Sequence, residues 1–457
     1  MKTDVIVIGS GQAGIPLATR LASANKNVVL FERAALGGTC TNYGCTPTKT
    51  MVASARAAHV ARTAGRLGVK VIGVEVDFPA VVARKDAVVA QWHEGIDKRI
   101  ADAGERLTVI QSHARFVGTK EVEAGGKRYA ADTIILNVGA RPIVPKVPGL
   151  EGVPFLDNTK LMALKALPKH LLVLGGGYIG CEFGQMFRRF GAEVTVVDHH
   201  GHLLAREDEE ISNALEEVFR KEGISLQLGT EVESARKDGN DVVLRLKSGK
   251  ELRGSHVLVA TGRRPNTDDL GCDAAGVKLD AHGFIVIDDG WATSVPGVYA
   301  VGDATGEPQF THTSWDDHRL LYERLVSRPS HGRSDRVIPY TVFTDPQVAG
   351  VGATERALRA KNVEFESATM PFGYIARALE LDEKAGTMKI LIDPKTEQVL
   401  GARIVGSEAG ELIHLFAALM QAKQSVRAIV DMEAVHPTFT EGVQALVMRL
   451  PRFALKT

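Results

Sequence analysis

The chain has 457 residues, 44% apolar and 24% charged, with 55 basic and 55 acidic side chains and no formal net charge. That length supports two to four domains, and the charge balance excludes a global basic field for nucleic acid or an anionic membrane. Aromatic residues are few, the apolar runs such as 5–8 and 134–136 are far too short to span a bilayer, and four cysteines do not make a stapled secreted scaffold. Met1 leads straight into a predicted strand with no basic region or cleavage site, so the expected location is cytoplasmic.

In chain order, the run 4–8 predicts a buried strand and Gly9-Ser10-Gly11-Gln12-Ala13-Gly14 a tight turn. A helix follows through 24, and a second strand over 28–31 stops at Glu32. The same grammar recurs later: a strand over 171–174, then Gly175-Gly176-Gly177-Tyr178-Ile179-Gly180, a helix through 190, and a strand over 194–197 stopping at Asp198. Gly9 to Glu32 and Gly175 to Asp198 both span 23 positions. A lone G-x-G-x-x-G is a weak signal. Two copies, each with strand, helix and acid in place, predict two nucleotide-binding domains rather than two ligand-free turns. The glycines let a backbone approach a pyrophosphate, the helix N-terminus supplies amides, and Glu32 and Asp198 would accept ribose hydroxyls.

After the first unit comes Cys40-Thr41-Asn42-Tyr43-Gly44-Cys45-Thr46-Pro47-Thr48-Lys49. Two thiols in a loop can hold two electrons as a dithiol and release them as a disulfide. A helix starting near Pro47, together with Lys49, would favour thiolate over thiol. No second cysteine pair or spaced histidine pair is nearby, so zinc is the weaker reading and no metal site is expected; an inert buried pair is the other alternative. Two dinucleotide sites beside such a pair suggest electron transfer between a bound flavin and a diffusible nicotinamide.

Helical stretches over 51–103 read as an excursion from the first domain, and Pro/Gly-rich seams lie at 141–149, 266–276 and 327–336, the last containing Pro329. The expected division is a first nucleotide domain over 1–150, a second over 151–270, a return segment over 271–336 completing the first, and an α+β domain over 337–457. Cys181 reads as core, Cys272 as a loop bystander, and Arg56, Arg62 and Arg66 as a solvated helical face.

These residues resemble the pyridine nucleotide-disulfide oxidoreductases, the family of dihydrolipoamide dehydrogenase, glutathione reductase and mercuric reductase. The resemblance extends to Ala260-Thr261-Gly262-Arg263-Arg264-Pro265, to Gly297-Val298-Tyr299-Ala300-Val301-Gly302-Asp303-Ala304, and to His436-Pro437-Thr438-Phe439-Thr440-Glu441. It implies an α/β fold with FAD-binding and NAD(P)-binding Rossmann-like domains, a C-terminal dimerisation domain and a homodimer. It implies that Cys45 is the thiolate beside the flavin and Cys40 the interchange thiol, the two forming a redox disulfide. Lys49 would lie near the flavin, paired with Glu182; Asp303 would bind the ribityl chain; His436 would be the acid-base group, oriented by Glu441. The implied cofactor-binding set is Gly9, Gly11, Gly14, Glu32, Gly38, Thr39, Lys49, Gly139, Gly262 and Asp303, with Gly175, Gly177, Gly180 and Asp198 for NADH or NADPH.

The implied activity is FAD-dependent, NAD(P)H-linked reduction of a small-molecule disulfide. The alternatives are reduction of a thiophilic ion such as Hg(II) or Cu(II), reduction of reactive chlorine or hypothiocyanous acid species, and a non-catalytic nucleotide-binding redox sensor. The sensor would not need His436 and Glu441 together. Thr41, Tyr43 and Thr46 replace residues that are usually apolar. A terminal cysteine pair and an N-terminal Cys-x-x-Cys are both absent, which argues against a true mercuric reductase. The stretches 309–317 and 339–346 are nearer to the mercuric-reductase-like branch, some of whose members defend against reactive chlorine or hypothiocyanous acid. Asp198 favours NADH, while His199, His200 and Arg206 would partly accommodate a 2′-phosphate.

Overall fold

The computed structural model describes residues 1–306, 308–328 and 331–454. Pro329, in the third seam, lies outside the described residues. The chain forms two compact units, one from Met1–Thr50, Val82–Ile143 and Gly262–Arg336, the other from Met51–Val81, Val144–Thr261 and Val337–Thr457.

The first unit is built on a seven-stranded sheet. Lys2–Ile8 is its central strand, parallel to Val28–Glu32 on one side and to Lys127–Leu136 on the other, with Val5 opposite Val28 and Ile6 opposite Ile134. Both faces of this strand are covered, so Val5, Ile6, Val7 and Ile8 are all buried and the sequence reads as an unbroken apolar run. The helix Gly14–Ser23 closes the strand-helix-strand unit. The late strand Val298–Ala300 adds in parallel beside Lys127–Leu136, so a segment distant in sequence completes this sheet.

In the second unit a five-stranded parallel sheet runs Ser225–Gln227, Glu193–Val197, His170–Leu174, His256–Val259, Phe155–Leu156. Beside it lies an antiparallel trio, Val232–Asp238, Asp241–Leu246 and Glu251–Gly254. The C-terminal part is a separate five-stranded antiparallel sheet, ordered Tyr340–Val342, Gln347–Gly352, Val399–Gly406, Thr387–Ile392, Glu366–Pro371. The helices Ala409–Gln421 and Phe439–Val447 bury Phe416, Ile413, Val443 and Leu446 in the same core as Met388, Ile390 and Ile404 of that sheet.

Three local expectations change. The thiols do not occupy an open loop: Cys40 lies within the short helix Gly38–Asn42, and Cys45 is the first residue of the helix Cys45–Thr63. Cys272 opens the helix Cys272–Ala275 and packs in the first unit's core, where burial pushes its thiol up to about 11.

The arginines that read as a solvated face are anchors within the second unit. Arg56 donates to Asp345 at 2.5 Å and to Glu383 at 2.7 Å, Arg62 donates to the carbonyl of Arg189, and Arg66 lies 3.8 Å from Asp382. Buried Arg189 binds Asp345 from the other side at 2.5 Å and Glu222 at 2.6 Å. Helical spacing placed these cations on one face, but only packing could supply the carboxylates that meet them.

Candidate active site

Each glycine turn is locked by the acid that ends the following strand. In the first unit one Glu32 oxygen accepts from the Ser10 N–H at 2.9 Å and its hydroxyl at 2.6 Å, and the other accepts from the Ala34 N–H at 2.8 Å. In the second, Asp198 Oδ2 accepts from the Gly176 N–H at 2.5 Å. A side chain at Gly9, where φ is +101°, would collide with the Asn137 carbonyl; Gly177 is the reverse case, since an added Cβ there meets nothing within 4 Å. The second turn is thus open on the face where a pyrophosphate would approach.

The surroundings of Asp303 also fit a bound polar cofactor. Burial pushes its carboxyl upward, countered by Arg263 at 3.8 Å. Arg263 Nε and Thr313 Oγ1 are buried without hydrogen-bond partners among the described residues, a costly state that a flavin's ribityl and pyrophosphate oxygens would relieve. The turn itself is held by buried Asp317, which accepts from the Gly302 N–H at 2.7 Å, the Trp291 indole at 2.8 Å and Arg336 at 2.8 Å. Gly139 sits at φ +66° with open space where its side chain would project, and Gly262 pairs its carbonyl with the Ile143 N–H at 3.0 Å. Gly11, Gly14, Gly38 and Thr39 line the first turn and the entry to the thiol helix, and Gly175 and Gly180 belong to the second turn.

The two thiols have unequal surroundings. Cys40 is driven well above the ordinary thiol value by the Cys45 side chain, then by burial, while the Thr311 hydroxyl acts in the opposite direction. Cys45 Sγ lies 3.0 Å from Thr311 Oγ1. Cys45 stands at the N-terminus of its helix and beside a hydroxyl, surroundings that favour thiolate over thiol. Asn42 holds the helix between them: its amide donates to the carbonyls of Leu36 and Gly38, both at 2.9 Å, and its Oδ1 meets His93 Nε2 at 2.8 Å.

Lys49 lies in the first turns of Cys45–Thr63 in the first unit, and Glu182 on the helix Tyr178–Phe190 in the second. Glu182 is buried and accepts from the Phe343 N–H at 2.9 Å. Tyr178, next to Gly177, stacks on Tyr340 at 5.6 Å; the Tyr340 hydroxyl donates to Glu207, which also binds Arg403 at 2.7 Å. His436 Nδ1 meets Glu441 Oε2 at 2.7 Å, and the imidazole is largely exposed. Two contributors escaped sequence reasoning. Thr311 lies 266 positions from its sulfur, and His93 is 51 positions from Asn42, so no local pattern marks either pair.

Two dinucleotide turns, a polarised dithiol and a carboxylate-bound histidine define a flavin- and nicotinamide-dependent dithiol oxidoreductase. Comparison with known proteins agrees. The model of pyridine nucleotide-disulphide oxidoreductases matches residues 3–317, and that of the same family's dimerisation domain matches 338–447. The chain is 34% identical over 466 residues to a dihydrolipoyl dehydrogenase of Thermus scotoductus, covering 100% of this chain and 99% of that protein. It is 33% identical over 449 residues to a mercuric reductase of Bacillus cereus, covering 97% of this chain and 71% of that protein. The solved structure of the Cu(II) complex of the HOCl-induced flavoprotein disulfide reductase RclA from Escherichia coli superimposes with a TM-score of 0.90 at 32% identity, over 98% of this chain and 99% of the other.

The chain belongs to the pyridine nucleotide-disulphide oxidoreductases. It is an FAD-dependent, NAD(P)H-linked disulfide oxidoreductase with a C-terminal dimerisation domain. Among the described residues no helix is long and apolar enough to cross a membrane.

Proposed function

We propose that this enzyme reduces a small-molecule disulfide at Cys40, using electrons relayed through Cys45. The observation that carries the reading is the inequality of the thiols: Cys45 meets Thr311 at 3.0 Å, and Cys40 is held as a thiol by its neighbour. When bound, FAD accepts hydride from the nicotinamide and supplies two electrons to the disulfide. Two electrons and one proton convert the Cys40–Cys45 bond to a Cys45 thiolate and a Cys40 thiol. His436, contributed by the second chain of a homodimer and oriented by Glu441, takes the Cys40 proton. The Cys40 thiolate attacks one substrate sulfur, the substrate S–S bond breaks, and the departing thiolate takes that proton back. Cys45 then attacks Cys40, re-forming the internal disulfide and releasing the second thiolate, which is protonated by solvent.

Lys49 is read as the cation that steadies charge beside the flavin, and Glu182 as a carboxylate of the same machinery. Asp303 binds the ribityl chain, and the glycine turns with Glu32 and Asp198 bind the two nucleotides. Asp198 favours NADH as the donor. The residues 1–150 with 271–336 are assigned to FAD, 151–270 to the nicotinamide and 337–457 to dimer formation, in a cytoplasmic enzyme.

A second reading is reduction of a thiophilic ion or a reactive chlorine species by the same dithiol. It is favoured by two relatives, one a mercuric reductase and the other an HOCl-induced reductase solved with Cu(II).

Anaerobic titration with NADH and NADPH tests the relay. Two-electron reduction should raise a broad band beyond about 530 nm, absent in Cys45→Ser, as thiolate-flavin charge transfer requires. No band in the wild type would sink it. Turnover on lipoamide, glutathione disulfide, Hg(II), Cu(II) and hypothiocyanous acid then separates the acceptors. Full disulfide turnover by Cys40→Ser would overturn the assignment of Cys40.

A further inference from the structure

The dithiol is one place where this chain can take a soft ion; a second stands at the end of the strand Glu193–Val197. There Asp198, His199 and His200 each offer a ligand atom, and these atoms lie within 4.8 Å of one another. His199 Nδ1 is 3.5 Å from Asp198 Oδ1, and His200 Nδ1 is 2.8 Å from the same oxygen. Donors bound tetrahedrally to zinc at about 2.0–2.2 Å stand about 3.4 Å apart, so the set needs only small side-chain rotations to close on an ion.

The backbone carrying these groups is already fixed. The Asp198 N–H donates to the Gln227 carbonyl at 3.0 Å, the Thr230 N–H to the Asp198 carbonyl at 3.1 Å, and the Gly229 N–H to the His200 carbonyl at 2.7 Å. Asp198 Oδ2 is held by the Gly176 N–H, which turns Oδ1 toward the imidazoles. Both histidine side chains are more than half exposed, so an ion can enter from solvent. Two imidazole nitrogens and one carboxylate oxygen, with positions left for water, suit a borderline divalent transition ion and not magnesium or calcium.

We propose that Asp198, His199 and His200 bind such an ion, zinc being the probe, and that its occupation excludes the nicotinamide nucleotide. The exclusion rests on the reading of Asp198 as the ribose acceptor: Oδ1 already accepts the His200 N–H at 2.8 Å, so once it also ligates the ion it has no lone pair left for a ribose hydroxyl. By linkage, nucleotide must weaken zinc binding by the same factor as zinc weakens nucleotide binding.

The test uses the FAD-loaded enzyme with its dithiol oxidised, so that Cys40 and Cys45 cannot take up metal. Zinc is titrated against a chromophoric indicator, and ADP-ribose, which carries no reducible ring, is titrated by calorimetry with and without zinc. One zinc per chain is expected, with ADP-ribose bound at least tenfold more weakly at saturating zinc. The double variant His199→Gln/His200→Gln should lose the zinc and show an ADP-ribose affinity indifferent to it. Unchanged zinc uptake by the double variant overturns the ion site. ADP-ribose that binds the wild type equally well with zinc present overturns the exclusion. ADP-ribose that fails to bind even without zinc overturns the ribose reading and the exclusion with it, while zinc uptake lost in the double variant still establishes the ion site.

Discussion

Thr311 Oγ1 stands 3.0 Å from Cys45 Sγ, joining the first residue of one helix to the first residue of another within the same unit. The hydroxyl can donate to a thiolate and gains nothing comparable from a thiol. A hydrogen bond to a charged group contributes about 1.5–3 kcal/mol, or roughly a 10- to 100-fold change in the thiolate fraction. Thr311→Val should therefore move the appearance of the long-wavelength band of the two-electron-reduced enzyme to higher pH. An unchanged spectrophotometric titration would remove Thr311 from the relay.

The Cys45 side chain is the largest cause of the raised Cys40 value, so its removal should release Cys40. In Cys45→Ser, alkylation of Cys40 by iodoacetamide should begin at lower pH than in the wild-type dithiol. Burial remains, so the return toward an ordinary thiol is partial. A midpoint at the same pH in both proteins contradicts the coupling.

His436 and Glu441 lie 2.7 Å apart, and the carboxylate fixes which imidazole nitrogen carries the proton. His436→Ala should lower disulfide turnover by about 10²–10⁴-fold, the usual worth of a positioned acid-base group. Glu441→Gln should lose less. Reduction of the flavin by NADH, followed by stopped flow, should keep its rate in both, because that half-reaction does not use the pair.

Gly177 separates a structural from a binding role. A methyl group there meets no protein atom within 4 Å, and the backbone is extended at φ −78°, so Gly177→Ala should melt at the wild-type temperature. If this turn is the nicotinamide site, the variant's KM for NADH should rise at least tenfold, as the methyl would obstruct the approaching pyrophosphate. Saturation kinetics and a thermal scan on one preparation check both halves.

Asp345 is the hub between Arg56 and Arg189. Burial opposes its charge, but Arg189 and then Arg56 outweigh burial and hold the carboxyl below its ordinary value of 3.8. A depressed carboxylate contributes stability above its unfolded value and loses it as pH falls through the folded one. Stability from this site is thus complete at neutral pH and lost progressively below about pH 4. Arg189→Met should cost about 3–5 kcal/mol by leaving the largely buried Glu222 without its guanidinium and Asp345 with Arg56 alone. Asp345→Asn should flatten the acid limb of the urea midpoint against pH.

The sequence by itself determined the two glycine turns, the strands ending at Glu32 and Asp198, the paired thiols and the His436–Glu441 spacing. All of these are short-range, since a turn, a buried strand or an i, i+5 pair leaves its mark within a few residues. The tertiary structure decided what those groups meet. It brought Thr311 to Cys45 and His93 to Asn42, and it turned Arg56, Arg62 and Arg66 from an apparent solvated face into anchors on carboxylates and a carbonyl. It also moved Cys272 from a loop into a core. The reason is that periodicity records whether a position is buried, whereas the identity of a long-range partner depends on how sheets and helices pack, which no window of sequence contains.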